Sequence, residues 1–340
     1  MRIGQNPEKS NVELSTNVLH RIVIPVYIPN LDEDYFKDGL DILKLCIESL
    51  LNAIHNKTRI SIINNGSCVE VSSYLEELYE QRIEIDQLLN SKINLGKVNA
   101  LYSVIKSCLE PIITVTDSDV MFLPNWQSAC ETILNDFPEA GMVSPVPSSL
   151  GYANAFINST VYYAFFKEKI KFSKVVYPEG LLNFQKSIGR VMYNDYHLQN
   201  YLTVSNKKNK AVIGCGHFVA TFRAEVFENS PKQICKEKIV GGSENRYLDF
   251  PNDHGGYLRL ATMDNYAYHL GNVKEDWMFR VLKDNADKPK PEPLKKISKG
   301  KPLKKHQYFM GKVLHRLCLV KFKKQFFKYK GLSKEAAQEY

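Results

Sequence analysis

The feature that most constrains this chain is an alternation in its first 150 residues. Short, β-branched apolar runs alternate with segments whose apolar residues recur every three or four positions. Arg21-Ile-Val-Ile-Pro-Val-Tyr27 reads as a strand buried on both faces, closed by Pro25 and Pro29. Leu40, Leu43, Ile47, Leu50, Leu51 and Ile54 then mark one face of a helix. Arg59-Ile-Ser-Ile-Ile63 is a second strand, stopped by the turn Asn64-Asn-Gly-Ser67. A vaguer unit spans Tyr74–Leu89. Asn94-Leu-Gly-Lys97 opens another helix, and Pro111-Ile-Ile-Thr-Val-Thr116 runs as a strand straight into Asp117. A helix is predicted after Pro124-Asn-Trp126 and a further strand at Gly141-Met-Val-Ser-Pro145. Such a β-α-β-α-β order predicts an α/β fold with a mainly parallel central sheet and helices on both faces. Ligands of such sheets bind beyond the carboxyl ends of the strands, where Tyr27, Asn64 and Asp117 fall.

The remainder is less regular. Residues 146–240 are rich in Tyr, Phe, Asn and Ser and show no clear period. From about Asn285 the chain turns Lys/Pro-rich, as linkers do. Three parts are expected: a polar lead (1–19), a main domain (20–283, with halves 20–147 and 148–283) and a basic linker with an amphipathic tail (284–340). The net charge of +8 is uneven: the chain from Lys283 onward carries +12 and the rest −4. Attraction to an anionic surface therefore belongs to the tail. Phe309, Val313, Leu314, Leu317, Val320, Phe322, Phe326 and Phe327 among lysines fit an amphipathic helix. It could lie on an anionic membrane or pack its apolar side onto the domain. Nucleic acid is not an expected partner, since no recognised module is present. Seven widely spaced cysteines without a CxxC pair argue against a zinc ribbon or a disulfide scaffold. With no apolar leader, a cytoplasmic protein is expected, peripheral on the inner face of the plasma membrane if the tail binds lipid.

Asp117-Ser-Asp119 carries the sharpest chemical signal. Two carboxylates at i and i+2 leaving a strand can face the same side, and Mn²⁺ or Mg²⁺ held there can bridge the protein to phosphates. A lone Asp-x-Asp also suits a solvated turn; here it interrupts an apolar stretch. Tyr266-Ala-Tyr-His-Leu-Gly-Asn272 places His269 in aromatic surroundings, as a core histidine or as a ligand. Gly241-Gly-Ser-Glu-Asn-Arg-Tyr-Leu-Asp-Phe-Pro-Asn-Asp253 offers three carboxylates, Glu244, Asp249 and Asp253. Gly214-Cys-Gly-His-Phe218 looks strand-like, with two glycines that permit close approach. Trp126 and Trp277 suit sugar stacking or, more simply, packing.

Four motifs occur in order: Ile24-Pro-Val-Tyr27, Ile62-Ile-Asn-Asn-Gly-Ser67, Asn94-Leu-Gly-Lys97 with Ala100, and Thr114-Val-Thr-Asp-Ser-Asp-Val120. Together they resemble the family-2-type glycosyltransferases of GT-A (Rossmann-like) fold, closely over 20–147 and more thinly to about 280. The resemblance implies a metal-dependent, inverting transfer of a sugar from a UDP- or GDP-linked donor to a glycan or lipid-linked acceptor, in bacterial surface polysaccharide synthesis by family habit. It implies that Pro25, Tyr27, Asn64, Asn65, Lys97, Asp117 and Ser118 hold the nucleotide sugar. Asn65 stands where the family usually has an Asp that reads the base, which leaves the nucleotide open. It further implies that Asp117, Asp119 and His269 hold the metal, and that Gly214, Gly216 and His217 line the acceptor pocket. The family's Glu-Asp pair is replaced by Glu244-Asn245, so the catalytic base is Glu244 by spacing, then Asp253 or Asp249. Two alternatives stay open: a catalytically degenerate carbohydrate- or nucleotide-binding protein of the same fold, and an Asp-x-Asp phosphohydrolase. A phosphohydrolase would carry its motif on the first strand of its core, whereas about 95 residues precede it here.

Overall fold

The computed structural model describes residues 3, 4, 6, 9, 13–167, 169–239 and 242–340. Part of the polar lead and Gly241, the first residue of its motif, lie outside these.

Twelve strands are present among the described residues: β1 (His20–Val26), β2 (Thr58–Asn65), β3 (Ile85–Ser91), β4 (Ile112–Thr116), β5 (Val120–Phe122), β6 (Ala140–Ser144), β7 (Lys169–Lys174), β8 (Asn200–Ser205), β9 (Lys210–Ile213), β10 (Val219–Arg223), β11 (Leu258–Ala261) and β12 (Ala267–His269). Ten form one sheet in the order β3-β2-β1-β4-β10-β6-β11-β9-β8-β7, and β12 pairs with β5 in a small second sheet. β3, β2, β1 and β4 run parallel, as do β6 and β11. β10 is inserted antiparallel between β4 and β6, and β7 to β9 close the far edge antiparallel. The parallel strands are buried almost throughout because helices cover both faces. Helix Gly39–Asn52 lays Leu43, Cys46, Ile47 and Leu50 on one face, and helix Lys97–Ile105 lays Leu101 and Val104 on the other.

The vague stretch resolves into helix Val69–Gln81 followed by β3. Three sequence expectations need correction. Residues 146–240 are not irregular: they hold four strands and helices such as Asn158–Phe166 and Pro178–Ser187. Gly214–Phe218 is a loop joining β9 to β10 rather than a strand. The Lys/Pro-rich linker is an extended strap bound to the domain: Arg223 donates to the Ser298 carbonyl, Lys301 N–H to Pro138 and Leu303 N–H to Gly256. The tail then packs one apolar side back onto the domain, where Leu319, Phe326, Phe327, Leu332 and Tyr340 join the main core. No helix among the described residues is long and apolar enough to cross a membrane.

Candidate active site

The carboxyl ends of β1, β2 and β4 open into a cleft of about 1270 Å³. Pro25, Tyr27, Asn65, Lys97, Asp117, Ser118, Asp119 and His269 all line it. Local pairing explains how they meet. β10 starts where β4 ends, so the Asp117 N–H donates to the Phe218 carbonyl (2.8 Å) and fixes the first carboxylate. Beyond Ser118 the chain turns into β5, whose antiparallel pairing with β12 sets His269 opposite Val120. The Leu270 N–H donates to the Asp119 carbonyl (2.8 Å), and His269 Nε2 comes to 3.5 Å from Asp119 Oδ2.

This acidic corner suits a divalent cation. Asp119 Oδ1 is buried without a hydrogen-bond partner, an arrangement that costs free energy unless something positive completes it. Burial holds the Asp119 carboxyl above its ordinary pKa, and Asp117 adds to this while His269 opposes it. His269 Nδ1 is 3.0 Å from Ser187 Oγ. With the proton on Nδ1 donated to that hydroxyl, the Nε2 lone pair faces Asp119, as a metal-ligating imidazole requires.

Lys97 joins two halves of the site. Asn65 builds its seat: Asn65 Oδ1 accepts from the Leu95 N–H (2.8 Å), and its amide donates to Asn94 Oδ1 (3.0 Å), ordering the loop before the helix. Gly96 has φ +81°, and a Cβ there would meet the Glu237 carbonyl oxygen at 2.9 Å. The ammonium of Lys97 then pairs with both Asp117 and Glu244. Burial opposes its charge, but the two carboxylates outweigh it and raise its pKa.

Behind Glu244 runs a chain of charges. His217 Nε2 is 3.5 Å from Glu244, His217 Nδ1 is 3.1 Å from Asp249, and Arg259 is 2.9 Å from Asp249. Burial alone would lower the His217 pKa, but hydrogen bonds to Asp249 and Glu244 hold it raised to about 9. Burial would raise Glu244, but the hydrogen bond from His217 and the charge of Lys97 bring it to about 2. A locally widened helix aims these groups. Pro251 has no N–H to offer the Tyr247 carbonyl, which accepts from the Tyr102 hydroxyl instead (2.5 Å). Residues Asn245–Asp249 form a π-type turn that runs directly into helix Phe250–His254, with Asp249 fully buried beneath His217.

Several candidates are corrected. Asp253 is fully buried away from the cleft, with its oxygens accepting from Asn158 Nδ2 and the Ser159 N–H (both 2.7 Å). It holds the start of helix Asn158–Phe166 and has no access to an acceptor. Asp249 turns Oδ2 to Arg259 and His217 and is likewise fully buried. Asn64 bonds Ser72, Asn90 and the Ser67 N–H within the fold and does not line the cleft; Asn65 does. Gly214 has φ +77°, and a Cβ there would collide with the Gly151 carbonyl oxygen. Its lack of a side chain serves a backbone crossing, not a ligand. Gly216 has no such need: a Cβ there would meet only the Phe218 ring, at an ordinary 3.4 Å. Trp126 is buried against Phe122 (ring centroids 4.7 Å), whereas Trp277 lines the cleft. The sequence reading missed Tyr35, Tyr177, Lys186 and Tyr268, which also line it. Tyr35, Tyr177 and Lys186 come from segments without a motif, and Tyr268 neighbours His269 in a segment read only for its histidine.

A second cluster could be mistaken for the metal centre. The ligand atoms of His20, His55 and Glu131 lie within 4.8 Å of one another, at the opposite end of β1. All four ring nitrogens have protein partners: Glu131 receives one from each ring (2.7 and 3.0 Å), while Thr114 and Thr58 take the others. It is a fully buried polar network in which both histidines bond Glu131 Oε1, while Glu131 Oε2 has no partner.

The model of "Glycosyl transferase family 2" matches residues 23–229, more than half of the chain. The chain belongs to that family and is a glycosyltransferase of GT-A fold. Glu244, Asp249 and His269 lie beyond the matched span. No curated protein matches the chain in sequence. Similar solved structures include S. aureus TarS 1–349 (11% identity, TM-score 0.43, 88% of this chain and 72% of that one). TarS in complex with UDP-GlcNAc is 10% identical (TM-score 0.41, 77% of this chain and 61% of that one). The mannosyltransferase PcManGT from Pyrobaculum calidifontis, in complex with GDP-Man and Mn²⁺, is 14% identical (TM-score 0.45, 97% and 81%).

Proposed function

We propose that the chain is a metal-dependent, inverting glycosyltransferase that takes a UDP- or GDP-linked sugar in this cleft. Asp117, Asp119 and His269 would hold Mn²⁺ or Mg²⁺. The observation that carries the reading is the buried, unpartnered Asp119 oxygen beside the His269 Nε2, on the wall of a cleft large enough for a nucleotide sugar. When bound, the cation would offset the charge that develops on the leaving diphosphate. Tyr27, 40% exposed at the cleft, offers its ring to the nucleotide base, with Pro25 beside it. Asn65 contributes mainly by holding the Lys97 loop.

Glu244 is the base in this reading, because it is the one of the three candidate carboxylates with side-chain exposure. It is ionised but weakly basic while Lys97 and His217 face it. Lys97 also faces Asp117, so an arriving diphosphate competes with Glu244 for the same ammonium. Withdrawal of Lys97 toward the donor would strengthen Glu244 as acceptor of the hydroxyl proton. Gly216 and His217 then border the acceptor side, and the product is a glycan or lipid-linked glycoside of the bacterial surface.

The test is thermal stabilisation by UDP and by GDP, each with and without Mn²⁺, followed by turnover of nucleotide sugars. Metal-dependent stabilisation by one nucleotide is expected, lost in Asp119→Ala. Glu244→Gln should keep that stabilisation and lose transfer. Stabilisation by free sugar alone, with no metal effect, would point to a degenerate binding protein of the same fold and sink the proposal.

A further inference from the structure

After the strap, the chain forms a helical arm: Lys305–Leu314, His315–Lys321 and Lys323–Tyr329. One side is committed to the domain. Gly311 lies so close to helix Asn158–Phe166 that a Cβ there would collide with the Asn158 carbonyl oxygen, and Leu319, Phe326 and Phe327 are buried. The opposite side is also apolar. Phe309, Met310, Val313, Leu317 and Val320 follow one another mostly at steps of three and four, so they form one stripe. They face outward: Phe309 is 59%, Val313 58% and Val320 66% exposed. Lys305, Lys312, Arg316, Lys321 and Lys324 accompany the stripe, all exposed. An exposed polar face would suffice for a helix that only packs on its own domain, so this second apolar face calls for an occupant.

We propose that this stripe docks on an anionic phospholipid bilayer, its apolar side chains entering the interface and its basic residues lying at headgroup level. Charge complementarity selects this occupant. The chain from Lys283 onward carries +12. A second copy docked through the same patch would set one basic arm against another, because a two-fold interface pairs a surface with itself. An anionic headgroup layer attracts every one of those charges. Because Gly311 seats the arm against the domain, membrane contact would fix the whole domain on the surface rather than tether it by a free tail.

The experiment uses the full chain and co-sedimentation with vesicles of phosphatidylcholine alone or with about a third phosphatidylglycerol, a charge density that attracts polybasic segments. Binding to the anionic vesicles only is expected, weakened but not abolished by salt. The triple variant Phe309→Ser, Val313→Ser, Val320→Ser should bind about tenfold more weakly or worse, since it removes apolar area from the interface while keeping every charge. Its thermal midpoint should match the parent protein's, because these side chains touch solvent; if it does not, the milder pair Val313→Ala, Val320→Ala gives the same readout. Nucleotide stabilisation should persist in the variant, which separates this proposal from the donor-site reading. Three results would overturn it: no preference for anionic vesicles, equal binding by parent and variant, or a dimer in light scattering that the variant converts to monomer.

Discussion

The charge chain Lys97–Glu244–His217–Asp249–Arg259 makes a prediction about stability that needs no substrate. The perturbation is His217→Gln, which keeps a hydrogen-bonding side chain but removes the titration. In the folded protein His217 is raised to about 9 from its ordinary 6.5, so the folded state binds its proton more tightly than the unfolded state does. The sign follows directly. The stabilisation is complete below about pH 6.5, declines as pH rises, and is gone once pH passes about 9. A gap of two and a half pKa steps at about 1.4 kcal/mol each corresponds to about 3 kcal/mol. That is an upper figure, because the ring is 27% exposed and Lys97 and Arg259 continue to neutralise Glu244 and Asp249 after His217 loses its proton. The assay is urea unfolding of both proteins from about pH 6 to about pH 10, comparing midpoints at constant slope. Titrations of tyrosines, lysines and cysteines common to both cancel in the difference. The parent's advantage should shrink by up to about 3 kcal/mol across that window. A difference that stays flat with pH would show that His217 is not held protonated between the two carboxylates, and the argument for their mutual orientation would fail with it.

Two further expectations test residues outside the cleft. Asp253→Ala should cost about 1–3 kcal/mol in unfolding free energy by freeing the Ser159 N–H and the Asn158 amide, while nucleotide binding and turnover per folded molecule stay unchanged. Loss of turnover in a folded Asp253→Ala protein would restore it as a candidate base. Glu131→Ala should destabilise the fold by about 3–5 kcal/mol, because two buried histidines lose their shared carboxylate. Glu131 is held at about 2, so its contribution is present above its ordinary 4.5 and lost as pH falls toward 2. In the absence of nucleotide, a chelator should leave the parent's thermal midpoint unchanged; a drop reversed by zinc would make this cluster a metal centre.

Much of the first half was legible because its physics is local. A parallel strand covered on both faces is rich in β-branched apolar residues, so β1, β2 and β4 stand out as short runs dominated by Ile, Val and Thr. The second half hides its elements for equally physical reasons. Helix Asn158–Phe166 is covered by the sheet on one side and the tail arm on the other, so it is apolar nearly all round and shows no helical stripe. Edge strand β7 alternates Ile170 and Phe172 with lysines, and the charge that protects an edge also dilutes the strand signal. Asp117 and Asp119 could be picked out because they interrupt an apolar run.

Lys97 and His269 are named through the family resemblance, but the pairing of Lys97 with Glu244 lies beyond any such reading. Lys97 meets Glu244 across 147 positions, and nothing in the neighbourhood of either residue announces the other. Asp253 and Glu244 look alike in sequence, two carboxylates in one polar segment. What separates them is their place along one helix, which leaves Glu244 beside Lys97 and His217 and puts Asp253 in the core against Ser159. In the proposed reading the base is chosen by exclusion in three dimensions: Asp253 is fully buried and held by Asn158 and Ser159, whereas Glu244 is partly exposed and paired with an ammonium that an arriving diphosphate would draw away. On that argument the order of events follows from charge alone. If Glu244 is the base as proposed, donor binding precedes its action, and an acceptor arriving first would meet a carboxylate still neutralised by Lys97.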